Sequence, residues 1–147
     1  MSAYRTLVVG TDGSDSSLRA VERAGALAGD GATLVIASAF LPQPEDARAI
    51  DVLKDESYKV TGTAPVYEML QDAKERARAA GATNIDTRAI VGAPVEALVK
   101  LAEEVNADLL VVGNVGLSTI AGRLLGSVPA NVSRRAKVDV LIVHTST

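Results

Sequence analysis

Short runs of branched aliphatic residues alternate along this chain with stretches whose apolar positions recur every three or four residues. Thr6 to Gly10 (TLVVG) is a strand-like run closed by glycine, and residues 33–40 (TLVIASAF) are a second, longer one. Between them Ser14 is placed to cap a helix with Leu18, Val21, Gly25 and Ala28 on one face, and Gly29-Asp30-Gly31 stops it. A second helix is predicted from about Thr63 to Ala80, with Val66, Met69, Ala73, Ala77 and Ala80 as its stripe and Gly81 at its end. Residues 85–91 (IDTRAIV) alternate more strictly and form the third strand. Ala93-Pro94 opens a third helix, because proline is tolerated in a first turn, and Val95, Leu98, Leu101 and Ala102 make its apolar face. Residues 108–113 (DLLVVG) and 138–144 (VDVLIVH) are the last two strands. A fourth helix lies between them, capped by Ser127, with Val128, Val132 and Ala136 inward.

Strands that are apolar throughout are covered on both faces. With helices between them, the economical fold is α/β: an open five-stranded parallel sheet, doubly wound, with helices on both faces and right-handed crossovers. Ligands of such sheets sit past the carboxyl ends of the strands, where the strand order reverses. Two loops of unusual composition leave those ends: residues 10–17 (GTDGSDSS) and the middle of residues 111–129 (VVGNVGLSTIAGRLLGSVP). Residues 41–62 break the rhythm with two prolines and mixed charge. They read as a solvated variable connection; the alternatives are a short helix around Glu45 to Leu53 or a cover over the same sheet edge.

Composition narrows the chemistry. The 147 residues suit one domain, residues 1–147, with one sizeable core. Only Tyr4, Phe40, Tyr58 and Tyr67 are aromatic, so that core is aliphatic. A net charge of −3 without a dense basic block argues against nucleic acid or an anionic membrane as the main partner. The absence of cysteine excludes disulfides, thiolate chemistry and cysteine-bound metal. No apolar run approaches the ~20 residues of a membrane span, and the N-terminus carries no signal-peptide pattern; a cytoplasmic location is expected.

The loop in residues 111–129 is a strand feeding through glycines into a helix N-terminus. Glycines let backbone approach a ligand closely, and the N–H groups of Gly126, Ser127 and Val128 together with the helix dipole favour an anion. An ordinary Gly-Ser helix cap would look the same, so the spacing matters. Gly113, two residues, Gly116, nine residues and then Gly126-Ser127 resembles the nucleotide-binding branch of the universal stress protein family. VVGTDGSDSSLRAVERA is similar to that family's opening strand and loop, and LLGSVPANVSRRAKVDVLIV to its closing helix and strand.

The resemblance implies the adenine nucleotide alpha hydrolase-like fold and an adenine nucleotide (ATP, AMP or cyclic AMP) across the ends of the first and fourth strands, with Mg2+ only if ATP. Gly10 and Thr11 would line the base, Asp12 would bond the ribose hydroxyls, and Ala39 would touch adenine. Val112 and Gly113 would lie against sugar and base, and Gly116, Gly126, Ser127 and Val128 would hold phosphate. Asn114, Val115 and Leu117 stand just after Gly113 and Gly116, where relatives that hold a triphosphate often carry basic or polar residues, and Arg123 is the one charge in the stretch. A triphosphate carries about four negative charges, which one arginine and a helix N-terminus offset poorly. A one-phosphate ligand, AMP or cyclic AMP, fits better than ATP.

Other readings are weaker. Residues 11–17 come near the phosphate loop of ATP pyrophosphatases, but Asp12 stands where that loop has glycine and would repel phosphate. A receiver-like domain lacks its cluster of acids and its lysine. His144 has no companion histidine, cysteine or acid cluster in sequence and reads as a strand-end residue, and Ser14, Ser16 and Ser17 have no histidine base in reach by sequence. Arg134, Arg135 and Lys137 read as a solvated or dimer-rim cluster. The last strand, Val138 to His144, is an apolar edge that invites a second copy, and the family commonly pairs these strands into a homodimer. The expectation is a nucleotide sensor or sink without catalysis, the alternative an ATP-hydrolysing or pyrophosphatase-like enzyme.

Overall fold

The computed structural model describes residues 4–40, 64–114 and 132–144. The expectations for residues 41–62, for the Ser127 cap and for most of the fourth helix lie outside these; residues 132–135 are helical. The elements run β1 (Thr6–Gly10), α1 (Asp15–Ala28), β2 (Thr33–Phe40), α2 (Ala64–Ala80), β3 (Asn84–Val91), α3 (Pro94–Glu104), β4 (Leu109–Gly113) and β5 (Asp139–Val143). The strands form one five-stranded sheet in the order β3-β2-β1-β4-β5, and every neighbouring pair is parallel.

The order sets the layers. The chain moves one way from β1 to β3 and then jumps back past β1 to β4 and β5. Right-handed crossovers therefore put α1 and α2 on one face and α3 on the other. Leu7, Val9, Leu34, Ile36, Leu109 and Val111 pack with α1 and α2. Val8, Val35, Ala37, Leu110 and Val112 pack with Leu98, Leu101 and Ala102 of α3 and with Val132. β1 and β4 are buried nearly throughout because both faces are covered, whereas the edge strand β3 alternates.

Local chemistry fixes the helix ends. Ser14 caps α1 by accepting the Ser17 N–H through its side chain, and the Gly29 N–H closes the other end on Gly25 O at 3.0 Å. Leu18, Val21 and Ala28 are buried as the spacing predicts, and buried Gly25 lets α1 meet α2 closely: a Cβ there would lie 2.7 Å from Ala77 O. On α2 the buried stripe is Leu70, Ala73 and Ala77, with Val66, Met69 and Ala80 only half-buried. Leu70 joins the stripe because a straight helix carries i, i+3, i+4 and i+7 on one face.

Asp108, expected as the first residue of the fourth strand, stands just before it. Its carboxylate accepts the N–H groups of Arg5, at 2.6 Å, and Thr6, at 3.4 Å. At the same amino-terminal rim the Tyr4 hydroxyl donates to Asp139 Oδ2 at 3.0 Å, linking the start of the chain to the edge strand across β4. That bond, then burial and the nearby negative charge, raises the Tyr4 pKa above the ordinary phenol value.

Candidate functional site

The reversal point lies between β1 and β4, and the loop after β1 leaves the sheet there. Thr11 leaves the strand still bonded to the sheet, its N–H donating to Ala37 O at 2.9 Å. Two enclosed hydroxyls organise the turn into α1: Thr11 is 2% exposed and Ser17 is 0% exposed. Their oxygens lie 2.7 Å apart. Ser17 Oγ also accepts the Asp12 N–H at 3.2 Å and donates to Ser14 O at 3.0 Å. Thr11 Oγ1 accepts the Gly13 N–H at 3.0 Å. The turn needs Gly13, whose φ is +84° and whose missing side chain leaves room for Met69 of α2.

Asp12 is held within this frame. Its Oδ1 accepts the Ser14 N–H at 2.9 Å. Its Oδ2 is shielded from water and has no hydrogen-bond partner among the described residues. A buried acceptor left without a donor costs roughly 1–3 kcal/mol, a cost that a donor brought to this oxygen would relieve.

Beside Asp12 opens a cleft lined by Gly10, Thr11, Asp12, Ala37, Ala39, Pro94 and Leu98. Its walls are small or aliphatic, apart from the Thr11 hydroxyl and the Asp12 carboxylate, as suits a flat apolar ring with one polar edge. Gly10, Thr11, Asp12 and Ala39 were expected from the sequence. Ala37, Pro94 and Leu98 were not: Ala37 lies two residues before Ala39 on the same strand face, and the other two come from α3 as it crosses the back of β1 and β2.

The fourth-strand residues stand on the other side of β1. Val112 is fully buried, and Gly113 ends the strand. Asn114 turns toward β5: its N–H donates to Val143 O at 2.9 Å, and its Nδ2 lies 3.3 Å from His144 Nδ1. The structure thus brings Gly10, Thr11, Asp12 and Ala39 into one cleft and sets Asn114 against His144. Gly116, Arg123, Gly126, Ser127 and Val128 lie outside the described residues. Arg135 of the basic cluster faces Glu96 of α3 at 3.8 Å. Among the described residues no group of three or more His, Cys, Asp or Glu side chains could hold a metal ion, and no helix is long and apolar enough to cross a membrane.

The parallel sheet in this order, with helices on both faces, makes this a doubly wound α/β protein, and its match to solved universal stress proteins gives it the adenine nucleotide alpha hydrolase-like fold. The chain belongs to the universal stress protein family, whose profile matches residues 3–144. It is 79% identical over 146 residues to Universal stress protein Rv1636 of Mycobacterium tuberculosis, covering 99% of this chain and 100% of that one. It is also similar to a putative universal stress protein of Staphylococcus aureus, 32% identical over 149 residues, with 99% of this chain and 87% of that one covered. Among solved structures, a universal stress protein in complex with cAMP superposes with a TM-score of 0.76 at 62% identity, over 99% of this chain and 100% of that one.

Proposed function

We propose that this universal stress protein binds an adenine nucleotide at the β1/β4 reversal point and acts as a sensor or sink for it, without catalysing a reaction. The observation that carries the reading is the buried Asp12 Oδ2, without a hydrogen-bond partner among the described residues, beside an apolar cleft. A ribose hydroxyl is a donor of the right kind for that oxygen, and the purine face suits the wall formed by Ala37, Ala39, Pro94 and Leu98. The relative at 62% identity solved in complex with cAMP supports the same choice.

The preferred ligand carries one phosphate. Arg123 is the only charged residue between Val111 and Pro129, and a triphosphate with about four negative charges needs more compensation than one arginine and a helix N-terminus give. The phosphate falls to Gly116, Gly126, Ser127 and Val128, as the family spacing implies. Val112, Gly113 and Asn114 border the sugar side, and Mg2+ enters only with ATP. Asp12 also disfavours the pyrophosphatase alternative, since a carboxylate beside the loop repels the phosphates that chemistry must hold. The protein works in the cytoplasm as a homodimer joined through Val138 to His144.

Calorimetric titration with cyclic AMP, AMP and ATP-Mg tests the reading. The two one-phosphate ligands are expected to bind more tightly than ATP-Mg, and Gly116→Glu is expected to abolish binding of all three while leaving the protein folded. Tightest binding of ATP-Mg would overturn the preference, and no heat from any of them would overturn the function.

A further inference from the structure

The Thr11–Ser17 hydroxyl pair has a use beyond capping a helix. Ser17 has one hydroxyl hydrogen, and it goes to Ser14 O at 3.0 Å. The short 2.7 Å contact with Thr11 is therefore made with the Thr11 hydrogen, Thr11 donating and Ser17 accepting. Ser17 Oγ spends its remaining acceptor capacity on the Asp12 N–H, and Thr11 Oγ1 accepts the Gly13 N–H. Each hydroxyl thus has a single direction, and the two together clamp the main chain on both sides of the Asp12 side chain. Ser14, at the end of the same relay, uses its N–H to hold Asp12 Oδ1. What remains of the carboxylate is one oxygen, Oδ2.

We infer that Ser17, acting through Thr11 and the Asp12 main chain, is the positioning residue for sugar recognition: it sets Asp12 so that one carboxylate oxygen meets one ribose hydroxyl. This rests on the proposed nucleotide site and adds a specificity to it. The ligand class is a ribonucleotide read at a single hydroxyl. A 3′,5′-cyclic ribonucleotide, whose only unesterified ribose hydroxyl is the 2′-OH, satisfies that arrangement fully, and its 2′-deoxy analogue offers Oδ2 nothing. Ser17 touches no ligand itself, being fully enclosed.

The test is the ratio of dissociation constants for cyclic AMP and 2′-deoxy cyclic AMP, by calorimetry, with melting temperature as the check on folding. A hydrogen bond to a charged group predicts that the native chain favours the ribo form by about 10- to 100-fold. Ser17→Ala is expected to bring the ratio to within about threefold, because the acceptor survives but is no longer aimed. Thr11→Val, which keeps the shape and drops the hydroxyl, is expected to do the same, and Thr11→Ser to retain the native ratio. Asp12→Ala should erase the preference, and Ser17→Ala added to it should not change the ratio further. A folded Ser17→Ala or Thr11→Val protein that weakens both ligands equally, keeping the native ratio, overturns the positioning role. A native chain that binds no adenine nucleotide overturns instead the functional reading beneath it.

Discussion

Asp12 shows how a single side chain divides its work: Oδ1 closes the turn on the Ser14 N–H, and Oδ2 is left for a donor from outside the loop. An aspartate at this point in the sequence suits a loop cap and a ligand contact alike; the geometry gives Oδ1 the cap, and the proposed nucleotide contact falls to Oδ2. Ser17 is not legible in this way. A serine in a run of Ser and Asp looks like any solvated cap residue, and only the folded turn brings its oxygen within 2.7 Å of Thr11. Asp108 misleads in the opposite sense. It sits in line with an apolar run and reads as strand, yet its carboxylate spans to Arg5 and Thr6.

A residue-scale prediction comes from the far rim. The Tyr4 pKa is raised in the folded state by its bond to Asp139. Its contribution to stability is therefore complete below the ordinary phenol pKa of about 10 and is lost as pH climbs through the higher folded value. Urea midpoints of the native chain and of Tyr4→Phe are expected to differ at pH 8 and to converge above about pH 10. A difference that persists or grows at alkaline pH would contradict this.

At the scale of elements, β1 and β4 are the easiest to read because they are buried on both faces and carry almost no polar positions. Helix boundaries are nearly as clear, since Ser14, Gly29, Gly81 and Pro94 punctuate them. The contribution of α3 to the cleft is not readable. Pro94 and Leu98 look like an opening turn and a core position, and they reach Ala37 and Ala39 only because the β3-to-β4 crossover passes behind β1 and β2. Close contact between α1 and α2 is a second tertiary fact hidden in sequence. Gly25→Ala gains about 1 kcal/mol in helix propensity, but its Cβ would meet Ala77 O at 2.7 Å and Ala77 Cα at 3.0 Å. Displacing packed backbone costs about 1–3 kcal/mol. Net destabilisation is expected, seen as a lower melting temperature; a higher one would show that α2 yields without cost.

For the whole molecule, strand order decides both the proposed site and the proposed assembly. Placing β1 between β2 and β4 creates the reversal point, and β5 ends the sheet with no strand beyond it among the described residues. Ile142 on that edge is 43% exposed, a large apolar side chain facing water. A second copy pairing along β5 would cover it and satisfy the open edge. Light scattering at micromolar concentration is expected to give twice the chain mass for the native protein and the chain mass for Ile142→Lys. A native monomer would remove the proposed interface. Asn114 joins the two regions, since it follows β4 at the reversal point and bonds to Val143 and lies against His144 beside the edge strand.

Where a nucleotide lands decides whether the reversal point is the binding site. Titrating cyclic AMP into isotopically labelled protein and following backbone amide shifts locates it directly. The largest changes are expected at Gly10 to Ser14, Ala37 to Ala39 and Val112 to Asn114, at the carboxyl ends of β1, β2 and β4. Changes confined to the opposite rim, around Tyr4, Asp108 and Asp139, or no changes at all, would contradict it.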